Sequence, residues 1–297
     1  MRKESLIIYL ISLLALVGCE GVQLPSYDQQ IVVEGWIENG GFPVVILTTT
    51  VPVTSVRDSM DLKEHIVRWG KVTVSDGEND VILSGRKDDR YFPPYIYTTS
   101  RMKGEAGKDY HLTVEYSGRK VTAVTTVPEP VPLEYVRVHE VQGSDEDIES
   151  KKYQLIGGLK DNRDRKDYYK VFTKVHGQDS SYVSSFLGLT DDAILSDEIR
   201  EIPVNRGYRH WKEKDYYKFN DIVYVRFCTL TAQGYEYWSD FEEMQSLAQN
   251  PFFPITTDIR SNIQGGLGYW TGYGSTYYTI EIGAESYDLQ NPDNVGL

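Results

Sequence analysis

Residues Tyr110–Tyr116, with the sequence YHLTVEY, carry the pattern that decides the fold. Aromatic or aliphatic side chains alternate with polar ones at every position of this stretch. A period of two is typical of a β-strand that buries one face and exposes the other. The stretch therefore predicts a half-buried strand.

Similar short runs surround this strand between residues 29 and 127. They are separated by turn sequences such as Asn39-Gly40-Gly41 and Asp76–Asp80, in which glycine or asparagine allows positive φ. Several short strands separated by turns are typical of a sandwich. We therefore predict an immunoglobulin-like or prealbumin-like antiparallel sandwich over residues 29–127. The predicted strands are Gln30–Glu38, Pro43–Val51, Lys71–Ser75, Val81–Gly85, Tyr95–Ser100, Tyr110–Tyr116 and Lys120–Val127.

Residues 128–132, with the sequence PEPVP, interrupt the strand pattern. Prolines cannot donate to a sheet interior and favour an extended, semi-rigid spacer. We predict a linker here and a second domain over residues 133–297.

The second domain is also predicted to be β-rich. Its near-continuous apolar run, Ile222–Leu230, is typical of a central, buried strand. Residues 231–248 instead place Tyr235, Trp238 and Phe241 at helical spacing, with Thr231 at the N-cap, and predict one amphipathic helix. The predicted fold class is therefore mainly β with one α-helix. The other predicted strands are Leu133–Val141, Tyr153–Leu159, Tyr168–Val175, Ser181–Leu187 and Tyr277–Ile282.

The N-terminus indicates where the protein is held. Arg2 and Lys3 precede an apolar run that ends at Leu16-Val17-Gly18-Cys19. The run is too short for a membrane span and is typical of a secretory signal, and its ending resembles the lipobox of bacterial lipoproteins. We predict a signal peptide over residues 1–18, lipidation of Cys19, and a leader over residues 19–28. An ordinary secretion signal with a chance cysteine is the alternative.

The net charge disfavours two classes of partner. Without residues 1–18, which hold two basic residues and one acidic residue, the net charge is −14. Both nucleic acid and anionic lipid should repel so acidic a body, which carries no basic helix or stripe, because binding to either depends on neutralising phosphates with Lys and Arg.

Motifs of catalysis and metal binding are absent from the sequence. The second cysteine, Cys228, lies in a strand-like run and is predicted to be an inert buried thiol. No closely spaced histidine pair, nucleophile elbow or P-loop occurs. We predict no cofactor and no enzyme activity, although scattered carboxylates leave glycoside hydrolysis open. Three acidic clusters, at Asp76–Asp80, Asp145–Asp147 and Asp161–Asp167, offer oxygen ligands to calcium without the spacing of an EF-hand.

The C-terminal stretch Ser261–Trp270, with the sequence SNIQGGLGYW, resembles the closing motif of a Bacteroidota lipoprotein family, the domain-of-unknown-function family numbered 4249. Asn250–Phe253 belongs to the same closing motif, and Trp270 stands where phenylalanine is expected. Ile31–Ile37 and the strand-then-helix at Ile222–Ala248 are similar to other shared stretches of that family. The resemblance implies an outer-membrane lipoprotein encoded beside a TonB-dependent transporter. It implies an accessory or ligand-binding role in nutrient uptake, at the cell surface rather than the periplasmic face. A surface hydrolase of glycan or peptide and a structural adhesin are the alternatives.

Site residues follow from these patterns. We expect the glycine-rich stretch to be a packing motif at a corner beneath the last strand, because closely spaced glycines allow close backbone approach. Aromatic side chains with a polar tip suit interfaces and flat ligands as well as sheet packing. Candidate contacts also include the long loops Pro52–Gly70 and Thr190–Asp221. The packing residues are Ser261, Asn262, Gly265, Gly266 and Gly268; the candidate ligand or partner contacts are Trp270, Tyr273, Tyr216 and Tyr217.

Overall fold

The computed structural model describes residues 29–51, 64–141, 151–160, 165–191, 199–207, 216–248 and 259–283. The predicted signal peptide, Cys19, the leader and Asn250–Phe253 lie outside the described residues. The same holds for Asp145–Asp147 and for parts of Asp161–Asp167, Pro52–Gly70 and Thr190–Asp221.

Most of the described chain is β-structure, which confirms the predicted mainly-β class with a helix. The helix, α1, is Ala232–Ala248. The strands are β1 (Ile31–Glu38), β2 (Val44–Thr49), β3 (Lys71–Ser75), β4 (Asp80–Ile82), β5 (Ser84–Lys87), β6 (Tyr95–Thr98), β7 (Asp109–Tyr116), β8 (Arg119–Thr126), β9 (Tyr135–Glu140), β10 (Tyr153–Leu159), β11 (Tyr168–Val175), β12 (Val183–Asp191), β13 (Arg200–Val204), β14 (Ile222–Leu230) and β15 (Leu267–Glu281).

The strands form one large sheet and two small ones. The large sheet has eight strands in the order β12-β11-β14-β15-β1-β2-β6-β5. The four-stranded sheet β4-β3-β7-β8 and the three-stranded sheet β13-β10-β9 share side chains with it in two separate cores. Both small sheets therefore pack on one face of the large sheet. We call the opposite face of the large sheet the second face.

Two hydrophobic cores lie between these layers. The first contains Val33, Leu47 and Leu112, together with Trp270 from the far end of the sequence. The second contains residues of β10, β11, β13 and β14, with Tyr278 and Ile280 of β15. Most residues of the first core precede residues 128–132 in the sequence, and the residues of the second core follow them. The large sheet nevertheless contains strands from both parts of the chain and is continuous.

Strand β15 is the largest departure from the predicted elements. It was predicted to begin at Tyr277, yet it begins ten residues earlier, at Leu267, so part of the glycine-rich stretch is strand rather than corner. It pairs in parallel with β1 and antiparallel with β14. The large sheet is therefore mixed rather than wholly antiparallel. Pairing between strands so distant in sequence leaves no local signal.

Smaller differences have local causes. The predicted strand Val81–Gly85 is divided, because Leu83 turns into the first core while β4 and β5 continue in different sheets. Strand β13 was expected to be loop, and it pairs with β10 in a continuous register in which Pro203 lies opposite Ile156. The central position predicted for Ile222–Leu230 is confirmed, since β14 lies between β11 and β15.

Helix α1 follows β14 directly and covers part of the second face. The hydroxyl of Thr231 accepts a hydrogen bond from the amide of Gly234 at 3.1 Å, which confirms the predicted N-cap. Trp238 packs with residues of β11 and β15. Among the described residues, no helix has both the length and the apolar composition needed to span a bilayer.

Gly268 provides a test of the β1–β15 pairing. Its φ is +104°, and a Cβ atom there would lie 1.9 Å from the carbonyl oxygen of Val33. We expect Gly268→Ala to lower the free energy of unfolding by about 3 kcal/mol or more, because backbone strain and a clash with a central strand add. Gly177→Ala is the matched control: its φ is also positive, at +72°, but a Cβ there meets nothing within 4 Å. The control should cost only about 1–2 kcal/mol. Both free energies are measured by urea unfolding, and an equal loss in Gly268→Ala and Gly177→Ala would contradict the predicted clash.

Candidate functional site

Strand alternation sends a set of charged and aromatic side chains to the second face. In β1, Ile37 enters the first core, so Trp36 and Glu38 point the other way. In β14, Val225 and Phe227 enter the second core, so Arg226 lies on the second face beside Glu38.

Glu38 and Arg226 form a largely buried ion pair. Nη1 of Arg226 lies 3.7 Å from Oε2 of Glu38, and the two side chains are only 11% and 13% exposed, respectively. Glu38 also accepts hydrogen bonds from the Ser275 hydroxyl at 2.6 Å and the Tyr277 hydroxyl at 2.7 Å. Desolvating two charges is costly unless they are paired and hydrogen-bonded. These contacts satisfy the carboxylate.

The guanidinium of Arg226 is less well satisfied. Its carbon lies 4.3 Å from the ring centroid of Phe172 and 5.3 Å from those of Tyr182 and Tyr273, at cation–π distances. Its buried Nε atom has no hydrogen-bond partner among the described residues. A buried donor without an acceptor costs free energy. Arg226 therefore has hydrogen-bonding capacity that the described residues leave unused.

Half-buried aromatic side chains surround this pair. The rings of Trp36 and Tyr91 are 5.8 Å apart, and those of Tyr182 and Tyr277 are 6.0 Å apart. Burial raises the pKa of Tyr182 to about 12 and also raises the pKa of Tyr91. Their hydroxyls therefore stay protonated at neutral pH and can donate hydrogen bonds. We call the Glu38–Arg226 pair and these four aromatic residues the charged aromatic site.

Helix α1 borders the site on one side. Nε1 of Trp238 donates to the Tyr273 hydroxyl at 3.1 Å, and its ring packs edge-on against Phe172. On the same face, the fully buried Lys170 forms an ion pair with Glu242 of the helix. These contacts hold the helix against β11 and β15, beside Arg226.

Cys228 lies two residues from Arg226 on the same face. Its Sγ is 3.4 Å from the Ser275 hydroxyl, and burial raises the pKa of the thiol to about 11. Because the thiolate is the reactive form, Cys228 is a poor nucleophile here. The site thus offers a cation, hydroxyl donors and aromatic faces, a combination suited to binding a polar group.

The structure brings one of the four predicted contact residues to this site. Tyr273 lies against Arg226, whereas Trp270 is fully buried in the first core and cannot meet a ligand on the second face. Tyr217 is buried in the second core and donates to the carbonyl of Val204. Nζ of Lys152 lies 5.9 Å from the ring centroid of Tyr216, on the side of the small sheets. The predictions for Trp270 and Tyr217 are corrected, because both side chains are buried in a core. Tyr216 is partly exposed, and its role as a contact stays a prediction.

The predicted packing residues lie where β15 meets β1 and β8. The side chain of Asn262 exchanges two hydrogen bonds with the backbone of Trp270, at 2.7 and 2.9 Å, and Ser261 accepts from the amide of Ile263. Added Cβ atoms at Gly265 and Gly266 would lie 3.0 and 2.7 Å from neighbouring carbonyl oxygens.

The acidic turn Asp76–Asp80 is organised by its own hydrogen bonds. The Asp76 carboxylate accepts hydrogen bonds from the amides of Asn79 and Glu78, and these contacts, that of Asn79 first, hold the pKa of Asp76 below its usual value. Its oxygens therefore serve its own turn. Within the described ranges, no three His, Cys, Asp or Glu side chains cluster as metal ligands would.

Sequence reasoning missed Glu38, Arg226, Trp36 and Tyr182. One signal was present: Arg226 is the charged residue inside Ile222–Leu230, a run predicted to be central and buried. A charge at such a position needs a partner. The identity of that partner, almost 190 positions earlier in the chain, depends on the β15–β1 pairing.

Comparison with known proteins gives a family without an assigned activity. The family model described as Domain of unknown function (DUF4249) matches residues 21–279. No curated protein matches the chain.

The ion pair should be energetically coupled. We expect Glu38→Gln and Arg226→Met each to lower the free energy of unfolding by about 3 kcal/mol, because each leaves its partner buried without a counter-charge. The double variant should lose less than the sum by about 1–3 kcal/mol in a double-mutant cycle. Glu115→Gln, which breaks the exposed Lys71–Glu115 pair, is the control and should cost at most about 1 kcal/mol. Additive losses at Glu38 and Arg226 would refute the coupling.

Cys228 should resist thiol reagents in the folded protein. A shift of its pKa from 9.0 to about 11 lowers the thiolate fraction at neutral pH, by about a hundredfold. In a Cys19→Ser variant, Ellman's reagent near pH 8 should label Cys228 only after denaturant is added, and native labelling should rise as pH increases toward 11. Rapid labelling of the native protein near pH 8 would show that the thiol is accessible and ionised.

Proposed function

The chain belongs to the DUF4249 family, and from that premise we propose that it is an outer-membrane lipoprotein that serves as an accessory or ligand-binding subunit of a TonB-dependent transporter. In this proposal the lipid on Cys19 holds the folded body at the cell surface of a Bacteroidota cell. The charged aromatic site then captures a nutrient for the transporter barrel.

The limits of the family match support the anchoring part of the proposal. The match begins at residue 21, two residues after Cys19, so the family's shared region starts where a lipidated mature chain would begin. Two or more acyl chains anchor a protein stably, whereas one chain binds reversibly.

The single observation that carries the ligand-binding part is the unsatisfied Nε of Arg226 inside a ring of aromatic side chains. A buried cation with a free donor is costly for a purely structural role, and a hydrogen-bonding ligand removes that cost. Neutral tyrosine hydroxyls and aromatic faces add contacts for a ligand with hydroxyl or carboxylate groups. The only carboxylate we place in this site, Glu38, is held by Arg226, Ser275 and Tyr277 rather than facing a second acid. This arrangement favours binding over hydrolysis.

Affinity purification tests the partner. The tagged protein, extracted gently from native outer membranes, should bring a TonB-dependent transporter with it in near-equal amount by mass spectrometry. A tagged unrelated lipoprotein from the same membranes controls for barrels that co-purify with any lipoprotein. Recovery of the protein without a transporter would count against the proposed role.

Nutrient uptake tests the site. Arg226→Met should lower uptake through the partner transporter by about tenfold or more, because a charge-assisted hydrogen bond contributes about 1.5–3 kcal/mol. Arg137→Met is the matched control: Arg137 also lies over an aromatic ring, that of Tyr135 at 3.8 Å, but on an exposed strand of a small sheet. The control should leave uptake unchanged. Equal uptake by the Arg226 variant, at equal surface abundance, would remove the charged aromatic site from the transport function.

A further inference from the structure

Trp69 is the most exposed large apolar side chain among the described residues. It is 89% accessible, in a segment that leads into β3. Tryptophan is enriched where proteins meet the interface of a membrane, since its amphipathic ring suits the headgroup region. An exposed tryptophan alone is no evidence of a membrane contact, so the inference depends on the residues around Trp69.

Basic side chains surround Trp69. A shallow groove beside it is lined by Lys71, Arg119 and Lys120, with Glu115 and Tyr116. Arg68 precedes it and is also exposed. Glu115 pairs with Lys71 at 3.2 Å, so the surface around Trp69 keeps a local positive charge on a chain whose net charge is −13.

These residues lie at the end of the first core where β1 begins. Ile31 pairs with Thr49, whose amide donates to the carbonyl of His65, four residues before Trp69. A Cβ at Gly266 would meet both the Ile31 carbonyl and the side chain of Val121, which follows Lys120. We call this end, with Trp69, Arg68, Lys71, Arg119 and Lys120, the basic end.

The geometry points to the basic end as the surface that rests on a layer of anionic lipid headgroups. This inference rests on the proposed lipid anchor, because the chain that leads from Cys19 enters the fold at this end. The nine residues between Cys19 and Gln29 span at most about 30 Å when extended. The anchor therefore keeps the basic end within reach of the headgroups, where each Lys or Arg adds attraction.

The opposite end of the first core is acidic on balance. The turn after β3 carries Asp76, Glu78 and Asp80, and the segment before β7 carries Glu105 and Asp109. Two lysines of that segment offset part of this charge, Lys103 and Lys108, and Lys108 pairs with Glu105 at 2.8 Å. An anionic surface would repel that end and attract the basic end. The two ends thus orient the body as well as hold it.

Orientation on the membrane decides where the charged aromatic site faces. Glu38 is the last residue of β1, seven residues from Ile31, which corresponds to about 23 Å along the strand. With the basic end on the headgroups, the site lies on the distal half of the body. A ligand or a transporter loop can then reach it from outside the lipid layer.

Fluorescence quenching tests the membrane contact. Full-length lipidated protein is reconstituted into vesicles of phosphatidylcholine alone or phosphatidylcholine with phosphatidylglycerol, each with a spin-labelled headgroup lipid. The signal of Trp69 is the difference between wild type and Trp69→Phe. We expect strong quenching of that difference signal in the phosphatidylglycerol vesicles and weaker quenching at high salt.

Charge reversal supplies the matched comparison. Arg119→Glu with Lys120→Glu should lower the ratio of docked to undocked protein by about 25-fold or more. Lys103→Glu with Lys218→Glu makes the same change in net charge at exposed positions away from the basic end, and it should leave quenching unchanged. Quenching that is absent in wild type, or that falls equally in both double variants, would overturn the inference.

The test separates this inference from the anchor on which it rests. A chain that carries no lipid would be absent from the reconstituted vesicles, which would refute the anchor. The same quenching measurement would then use a chain held through an oligohistidine tag placed before residue 20, on vesicles with chelating lipid. Quenching of Trp69 in the tagged chain would support the basic end as a lipid-facing surface. Absence of that quenching would overturn the inference.

Discussion

Strand β15 lies between β1 and β14, and the rest of the structure depends on that position. Its first half supplies Trp270 to the first core, where the indole donates to the carbonyl of Tyr110 at 3.0 Å, and its second half supplies Tyr278 and Ile280 to the second core. Gly268 lets the strand approach β1 where any side chain would strike the backbone of Val33. One strand therefore joins two cores into one sheet and fixes the register of both.

That register creates the charged aromatic site. Glu38 comes from β1, Arg226 from β14, and the hydroxyls that bind Glu38 from β15 between them. The two small sheets pack on the same face of the large sheet, so the second face receives the side chains that alternation directs away from the cores. A charged pair there costs desolvation energy that an aliphatic pair would not. The incomplete satisfaction of Arg226 is the physical reason for the proposed binding role.

The proposed membrane contact would give this site an orientation. The basic end carries Trp69, Arg119 and Lys120 where the chain enters the fold, and the far end carries acidic turns and Glu38. A lipid anchor and a positively charged end act in the same direction, since both draw the start of β1 toward headgroups. Proposed anchoring, proposed orientation and a distal binding site are thus consistent with one another, and each has its own test.

The sequence by itself determined the mainly-β class, most strand positions and the helix, because periodicity and turn residues are local properties that one strand or helix displays alone. It also indicated Asn262, Gly265 and Gly268 as a close-packed stretch. Tertiary structure alone decided that β15 begins at Leu267, that it pairs in parallel with β1, and that Trp270 is core rather than contact. It also decided which acid meets Arg226. Those facts depend on contacts between residues more than 180 positions apart, which no local pattern encodes.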